Sequence, residues 1–221
     1  MPCSIRVTIL SVLFLDVLLV AMSAQDQQKP QPSPAAPAGP ARGAMVHFVL
    51  DRTLNFESVS KPVCVAISPD SKVIASGDLS PAVTLWDREE GKEIRRLTGQ
   101  TSRIWSVAFS PDGQRLASAS GDGSARIWNV STGQSLYTLS GHVGAVMSAV
   151  YSPDGKFVVS GGADDTVRFW DAATGQNLET LGGDSGVWQV AFSSDGKYLA
   201  AGYADGTINV WKKREGIGRD L

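Results

Sequence analysis

One pattern of tryptophans limits what this chain can fold into more than any other feature. Trp86, Trp128, Trp170 and Trp211 are separated by 42, 42 and 41 residues, and similar words surround each of them. The four related segments read VAISPDSKVIASGDLSPAVTLWD, VAFSPDGQRLASASGDGSARIWN, AVYSPDGKFVVSGGADDTVRFWD and VAFSSDGKYLAAGYADGTINVWK. A period of roughly 40–45 residues indicates an architecture in which each repeat packs on its neighbours.

Each repeat predicts four short antiparallel strands. The apolar run before S-P-D-G is a buried strand, and S-P-D-G is a tight turn. In that turn Pro presets φ at the second position and Gly accepts a positive φ at the fourth. After this turn come a second strand, a D-G turn, a third strand that ends in Trp, and an outer strand such as QSLYTL. Such a sheet leaves both faces apolar, so neighbouring sheets must stack face to face around an axis.

These four repeats resemble the WD40 β-propeller family over about residues 47–216. The resemblance implies an all-β propeller of four-stranded blades and a non-enzymatic scaffold that binds protein or peptide through the propeller face, without a cofactor. With its N-terminus, the chain looks like an exported, bacterial-type member. The propeller domain spans 45–221, and its repeats cover about 62–102, 103–144, 145–186 and 187–216.

The way in which the propeller ends is left open by the sequence. The fourth repeat is incomplete, because only KKREGIGRDL follows Trp211. Residues 47–56 alternate apolar side chains as a half-buried strand does, and in this family a strand from the other chain end commonly completes the last blade. Three interpretations remain: a small closed four-bladed ring, an open arc that pairs with another copy as a homodimer, and a shortened relative with an unsatisfied edge.

The resemblance also implies a buried hydrogen-bond network within a blade, made of His, Ser or Thr, Asp and Trp. Asp accepts from the turn backbone and from His, His donates to Ser, and the Trp N–H needs an acceptor. The third repeat holds the whole set, His142, Ser160, Asp164 and Trp170. The other repeats hold parts of it: Gln100, Ser118, Asp122 and Trp128; Asp184, Ala201, Asp205 and Trp211; and Ser76, Ser80 in place of the Asp, and Trp86.

Ser, His and Asp are also the residue types of an acyl-transfer triad. No G-x-S-x-G elbow occurs, and Ser160 is predicted to lie in mid-strand. The sister repeats lack the histidine, so we interpret the set as structural and predict no enzyme activity. His47 is the only other histidine, which excludes a multi-histidine metal centre. The turn aspartates are spread around the rim rather than converging on a metal: Asp70, Asp112, Asp154 and Asp195.

Residues at the start of each inner strand differ between repeats while the framework stays constant. In the family, side chains near this position approach the central opening on the face used for partners, and Trp, Met and Arg are enriched at interfaces. The alternative is that the tryptophans fill space between blades and that Arg103 is a solvated charge. The predicted partner-binding residues are Lys61, Arg103, Trp105, Met147 and Trp188.

The N-terminus predicts export. The segment has the pattern of a signal peptide: Arg6, then an apolar run over residues 7–22, then small residues near position 24. Because Asp16 interrupts the apolar run, an uncleaved signal anchor is the alternative. Residues 25–44 are rich in Pro and Ala and predict an extended linker. The chain is therefore expected to be periplasmic or secreted, with a membrane contact only through this segment.

Charge and cysteine content exclude several other functions. The net charge of −2 gives no general attraction to nucleic acid, and two cysteines, Cys3 and Cys64, make no disulfide framework. Two alternatives to the protein-binding scaffold remain. The propeller binds or acts on a small molecule or glycan at its central opening, or it is a shortened fragment without autonomous function.

Overall fold

The computed structural model describes Thr53 and residues 61–213 of the chain, all within the unit Leu50–Leu221. The predicted signal segment (1–24), the linker (25–44) and, apart from Thr53, the predicted closing strand (47–56) lie outside the described residues. Within the described part no helix is long and apolar enough to cross a membrane.

In the described residues fifteen strands form four antiparallel sheets, each made of consecutive strands, so that each sheet is one repeat and one blade. The predicted all-β propeller architecture is confirmed, although the fourth sheet has three strands in the described residues. Blade 1 contains β1 (Pro62–Ile67), β2 (Val73–Asp78), β3 (Ala82–Asp87) and β4 (Glu93–Thr98); blade 2 contains β5 (Ile104–Phe109), β6 (Arg115–Ser120), β7 (Ser124–Asn129) and β8 (Ser135–Ser140). Blade 3 contains β9 (Val146–Tyr151), β10 (Phe157–Gly162), β11 (Thr166–Asp171) and β12 (Asn177–Gly182); blade 4 contains β13 (Val187–Phe192), β14 (Tyr198–Tyr203) and β15 (Ile208–Lys212).

The turn between the first two strands of each blade is held by its own side chains. In blade 2 the Ser110 hydroxyl donates to Asp112 at 2.5 Å, and the backbone N–H of Gln114 donates to the same oxygen at 3.0 Å. Gly113 adopts a positive φ of 71°. The serine hydrogen bond and then the backbone amide hold the pKa of Asp112 below its usual value. The same serine and amide contacts recur at Asp70, Asp154 and Asp195, so all four turn aspartates are used within their turns.

The core lies between blades rather than inside them. One face of each blade packs on the opposite face of the next blade, and we call these the forward face and the backward face. At the first interface the forward face of blade 1 meets the backward face of blade 2 in one cluster: Ala75, Val83, Leu85 and Leu97 against Ile104, Val107, Leu116 and Trp128. Two further clusters repeat this contact between blades 2 and 3 and between blades 3 and 4.

The two ends of this stack each expose apolar side chains, although Trp86 on the backward face of blade 1 is buried. On the backward face of blade 1, Val65 and Ile67 are 67% and 60% exposed. On the forward face of blade 4, Ile208 and Val210 are 71% and 63% exposed. The described residues of blades 1 and 4 therefore do not cover each other. The interpretation as a small closed ring is wrong, and the described blades form an open arc.

Candidate functional site

The structure brings together the four side chains of the third-repeat network. His142 lies just before β9, Ser160 in β10, Asp164 in the β10–β11 turn and Trp170 in β11. His142 Nδ1 lies 2.7 Å from Asp164 Oδ1, and His142 Nε2 lies 2.8 Å from Ser160 Oγ. Trp170 Nε1 donates to the same Ser160 oxygen at 2.8 Å. Two strands, one loop and one turn are thus joined by one chain of hydrogen bonds.

The direction of these hydrogen bonds follows from the charge state of the histidine. Burial lowers the pKa of His142 below its usual value, although the neighbouring Asp164 opposes this effect. The neutral ring donates from Nδ1 to Asp164, so Nε2 accepts a hydrogen bond from the Ser160 hydroxyl. The sequence and the family resemblance predicted the opposite direction, from the histidine to the serine. The buried neutral ring reverses that bond, since Ser160 can donate to His142 while it accepts from Trp170.

Asp164 anchors the network to the backbone. Its Oδ2 accepts from the N–H of Val143 at 2.9 Å, and its Oδ1 accepts from the hydroxyl of Thr166 at 2.8 Å. Burial alone would raise the pKa of Asp164, but the hydrogen bonds from Val143, His142 and Thr166 outweigh it and lower the pKa. The carboxylate therefore stays charged and ties the β8–β9 loop to the β10–β11 turn.

The order Ser–His–Asp is also that of a catalytic triad, but the surroundings differ from those of a nucleophile. Ser160 has 0% of its surface exposed. It lies in mid-strand, paired with Ala149 on β9 and Arg168 on β11. A nucleophile must reach a substrate carbonyl beside an oxyanion hole. Ser160 instead uses its oxygen to accept from Trp170, and the contacts favour a structural role.

Blade 2 builds the same network with glutamine in place of histidine. The Ser118 hydroxyl donates to Gln100 Oε1 at 2.7 Å, and Trp128 Nε1 donates to Ser118 at 2.8 Å. Asp122 accepts from the N–H of Thr101 at 2.8 Å and so fixes the loop as Asp164 does in blade 3. An amide oxygen can therefore replace the imidazole nitrogen as the acceptor for the serine.

The described residues of blade 1 contain one bond of the network. Trp86 Nε1 donates to the hydroxyl of Ser76 at 2.9 Å. The turn carboxylate of this blade is Asp78, which accepts from the backbone N–H of Ser80 at 2.6 Å. Ser80, which the sequence analysis placed at the Asp position, thus takes part through its backbone N–H.

Blade 4 has different residues at the positions of the network. Ala201 has no hydroxyl to offer Trp211, and Asp205 accepts only from Thr207 in its own turn among the described hydrogen bonds. A Cβ on Gly183 would lie 2.3 Å from the ring of Tyr203, so this buried tyrosine occupies the region next to the loop. Asp184 is exposed.

The predicted partner-binding positions share a backbone feature that the sequence analysis did not identify. At the start of every inner strand the antiparallel register shifts by one residue, which marks a β-bulge. A bulged residue is left out of the strand ladder, and its side chain is re-aimed. In the four blades this residue is Val63, Trp105, Met147 and Trp188.

The bulged residues lie at the end of the blades where loops from two strand pairs meet. The N–H of Gly121 donates to the carbonyl of Arg103 at 2.9 Å, and the N–H of Ala204 donates to that of Gly186 at 2.8 Å. In blades 2 and 4 these bonds join the residue that precedes the inner strand to the next turn of the same blade. We call this end of the arc the bulge face. It carries the four bulged residues together with Lys61 and Arg103.

Two features of the bulge face suit recognition. The Arg103 guanidinium lies over the Trp105 ring, 4.8 Å from its centroid, which presents a cation stacked on an aromatic surface. Met147 and Trp188 line a shallow pocket of about 190 Å³ between blades 3 and 4. Trp188 is 52% exposed, so it does not fill the space between blades, whereas Trp105 is half-buried. Lys61 and Arg103 are both exposed.

Comparison with known proteins agrees with this architecture. A family model described as the IFT122 first β-propeller matches residues 61–219. This chain belongs to that WD40-repeat β-propeller family. It is also similar to the WD40 repeat-containing protein smu1 of Dictyostelium discoideum, with 35% identity over 54 residues. That match covers 24% of this chain and 10% of the relative, so it concerns little more than one repeat.

WD40 propellers are generally non-enzymatic scaffolds for protein interaction. In residues 61–213 no group of three or more His, Cys, Asp or Glu side chains is placed to hold a metal ion. Burial raises the pKa of the Cys64 thiol to about 11, which keeps it protonated as a small apolar side chain.

Proposed function

We propose that this protein is a non-enzymatic scaffold that binds a protein or peptide partner through the bulge face. One observation carries the proposal: every blade places a bulged residue at the same position of its inner strand, and these residues differ between blades. A bulge that only shaped the sheet would not require large or apolar side chains such as Trp105, Met147 and Trp188. The repeated bulge supplies a constant backbone that presents variable contacts.

The chemistry of the bulge face defines the partner class. Trp105 under Arg103 offers an aromatic surface beside a positive charge, and the pocket at Met147 and Trp188 offers an apolar recess. Tryptophan and arginine are the residue types that contribute most binding energy at interfaces. These features support a partner segment with an apolar side chain next to a carboxylate.

Replacing Arg103 and Trp105 together by alanine is expected to abolish capture of partner proteins while the protein stays folded, with a melting temperature lowered by the loss of the half-buried Trp105 ring. The two substitutions leave the strand ladder intact, because Trp105 is bulged and Arg103 precedes β5. The measurement is affinity capture from the cell of origin, with mass spectrometry of the bound proteins.

The matched control is the double change Lys197→Ala and Tyr198→Ala. It also removes one cation and one aromatic side chain, both exposed, but from the end of blade 4 that lies opposite the bulge face. Partners retained by this control and lost by the Arg103 and Trp105 variant would support the proposal. Equal capture by all three proteins would refute it.

We also propose that the protein acts outside the cytoplasm, periplasmic or secreted, because of the signal-like residues 1–24. The proposal leaves open whether that segment is removed or stays as a membrane anchor. Cell fractionation and sequencing of the N-terminus of the native protein test it. A full-length chain in the cytoplasmic fraction would contradict export. The small-molecule or glycan alternative, and that of a fragment without autonomous function, remain predictions.

A further inference from the structure

The open face of blade 1 is a copy of faces that are buried elsewhere in the same chain. Val65 occupies the repeat position of Val107, Ala149 and Val190, which are all buried against the preceding blade. Ile67 likewise corresponds to Tyr151, which is buried in the cluster between blades 2 and 3. Blade 1 therefore has a backward face that is built for a preceding blade.

The open face of blade 4 is the matching counterpart. Ile208 occupies the repeat position of Val83, Ala125 and Val167, each of which has 0% of its surface exposed under the following blade. Val210 corresponds to Leu85 and Ile127, which are also fully buried. Blade 4 therefore has a forward face that is built for a following blade.

A glycine on blade 4 shows that space is left for such a blade. At the equivalent positions in blades 1 and 3, a Cβ on Gly77 would lie 2.6 Å from Ile104, and one on Gly161 would lie 2.4 Å from Val187. Ile104 and Val187 are the first residues of the following inner strands. Gly202 occupies this position in blade 4, and no heavy atom of the described residues lies within 4 Å of the position that a Cβ would take there.

We propose that a second copy of this chain covers both open faces. The forward face of blade 4 in one copy packs on the backward face of blade 1 in the other, and the two-fold symmetry repeats this contact. Residue 62 of the second copy, which corresponds to Ile104 and Val187, then lies over Gly202. Two copies of four blades make a ring of eight, within the range of about 4–8 blades that propellers adopt.

A second copy suits the two faces better than an unrelated partner. The chain already makes the same forward-to-backward contact three times between its own blades. A second copy supplies both complementary faces at once and removes both exposed sheet faces. An unrelated partner would have to imitate a blade at each end of the arc.

The mass of the purified full chain by sedimentation velocity tests the proposal first. The expected species is a discrete dimer with twice the chain mass of 23.4 kDa. A monomer would overturn the proposal, and so would a series of larger masses that grows with protein concentration, since the ring then does not close.

Two face-blocking variants test which faces meet. The first carries Val65→Arg and Ile67→Arg, and the second carries Ile208→Arg and Val210→Arg. Each variant alone should be monomeric, because every head-to-tail contact then includes a blocked face. An equimolar mixture should form a one-to-one dimer through the single intact contact. A variant that still dimerises alone would show that like faces pair, which would overturn the head-to-tail arrangement.

A single substitution provides a gentler test with a matched control. Gly202→Val adds a side chain where the isolated blade has open space, so it should abolish the dimer without lowering the melting temperature of the monomer. Gly182→Val makes the same change on β12, where the structure also leaves open space, away from both open faces. It should leave the dimer intact. Equal dimer content in the two folded variants would overturn the proposal.

Discussion

Replacing Trp170 by alanine is expected to lower the free energy of unfolding by about 3–5 kcal/mol, as loss of a large buried aromatic side chain does. Trp170 is 2% exposed and packs in the cluster between blades 2 and 3. The change leaves a cavity and also removes the N–H that donates to Ser160. Equilibrium denaturation in urea, followed by fluorescence and circular dichroism, measures the effect.

The chain contains its own control for this experiment. Trp211 occupies the same repeat position in blade 4, but it is half-buried and Ala201 offers it no hydroxyl. Trp211→Ala should therefore destabilise the protein by less than Trp170→Ala, by about 1–3 kcal/mol. Equal losses for the two tryptophans would mean that neither the burial nor the serine contact of Trp170 contributes as the structure indicates.

Replacing His142 by alanine is expected to lower the free energy of unfolding by about 1–3 kcal/mol, because it leaves buried polar groups without a partner. The Ser160 hydroxyl loses the acceptor of its hydrogen bond, and Asp164 loses one donor. His142→Gln should lose less, because Gln100 already accepts from Ser118 in blade 2. Thermal and urea unfolding of the two variants distinguish a specific acceptor from mere space filling.

The same histidine predicts a pH dependence. Burial lowers the pKa of His142 in the folded state, so the unfolded chain takes up this proton at the higher pH. The contribution of the neutral ring is fully present above the unfolded pKa of about 6.5 and is lost progressively as the pH falls below that value. The lowered pKa of Asp164 acts in the same direction below a pH of about 4.

His142→Gln removes the titrating ring and keeps an acceptor, so it isolates this contribution. The free energy of unfolding of the wild type should fall more steeply than that of the variant between pH 7.5 and about pH 5. Parallel curves would show that His142 has the same affinity for protons in the folded and unfolded chains.

Most of the fold could be predicted because its signals are local and repeated. The S-P-D-G turns specify where each strand reverses, and the hydrogen bonds of Ser110, Asp112 and Gly113 show why those residue types occur there. The tryptophan period then gives the number of blades. Each signal lies within about 42 residues of the chain and needs no knowledge of distant contacts.

Ring closure could not be predicted in the same way. Val65 at the open end has the same sequence surroundings as Val107, which is buried between blades. An apolar face that is covered by a neighbour and one that is left open have the same local pattern. Only the placement of distant blades decides which of the two a face becomes.

The β-bulges were missed, although the sequence carries a signal for them. Buried residues in a regular strand recur at even spacing. Ile104 and Val107 are both buried but lie three residues apart, and Val187 and Val190 repeat this spacing. An odd spacing within one strand indicates an inserted residue, which here is Trp105 or Trp188. The direction of the Ser160 hydrogen bond was missed because it depends on the burial of His142, which no local pattern shows.

The most direct test of this account compares two variants in the capture experiment, at a temperature where both remain folded. His142→Ala should melt at a lower temperature and still capture the partners of the wild type. The Arg103→Ala and Trp105→Ala double variant should also remain folded at that temperature and capture none of them. The opposite result would be loss of capture by folded His142→Ala together with full capture by the double variant. It would contradict both the structural role of the His142 network and the binding role of the bulge face.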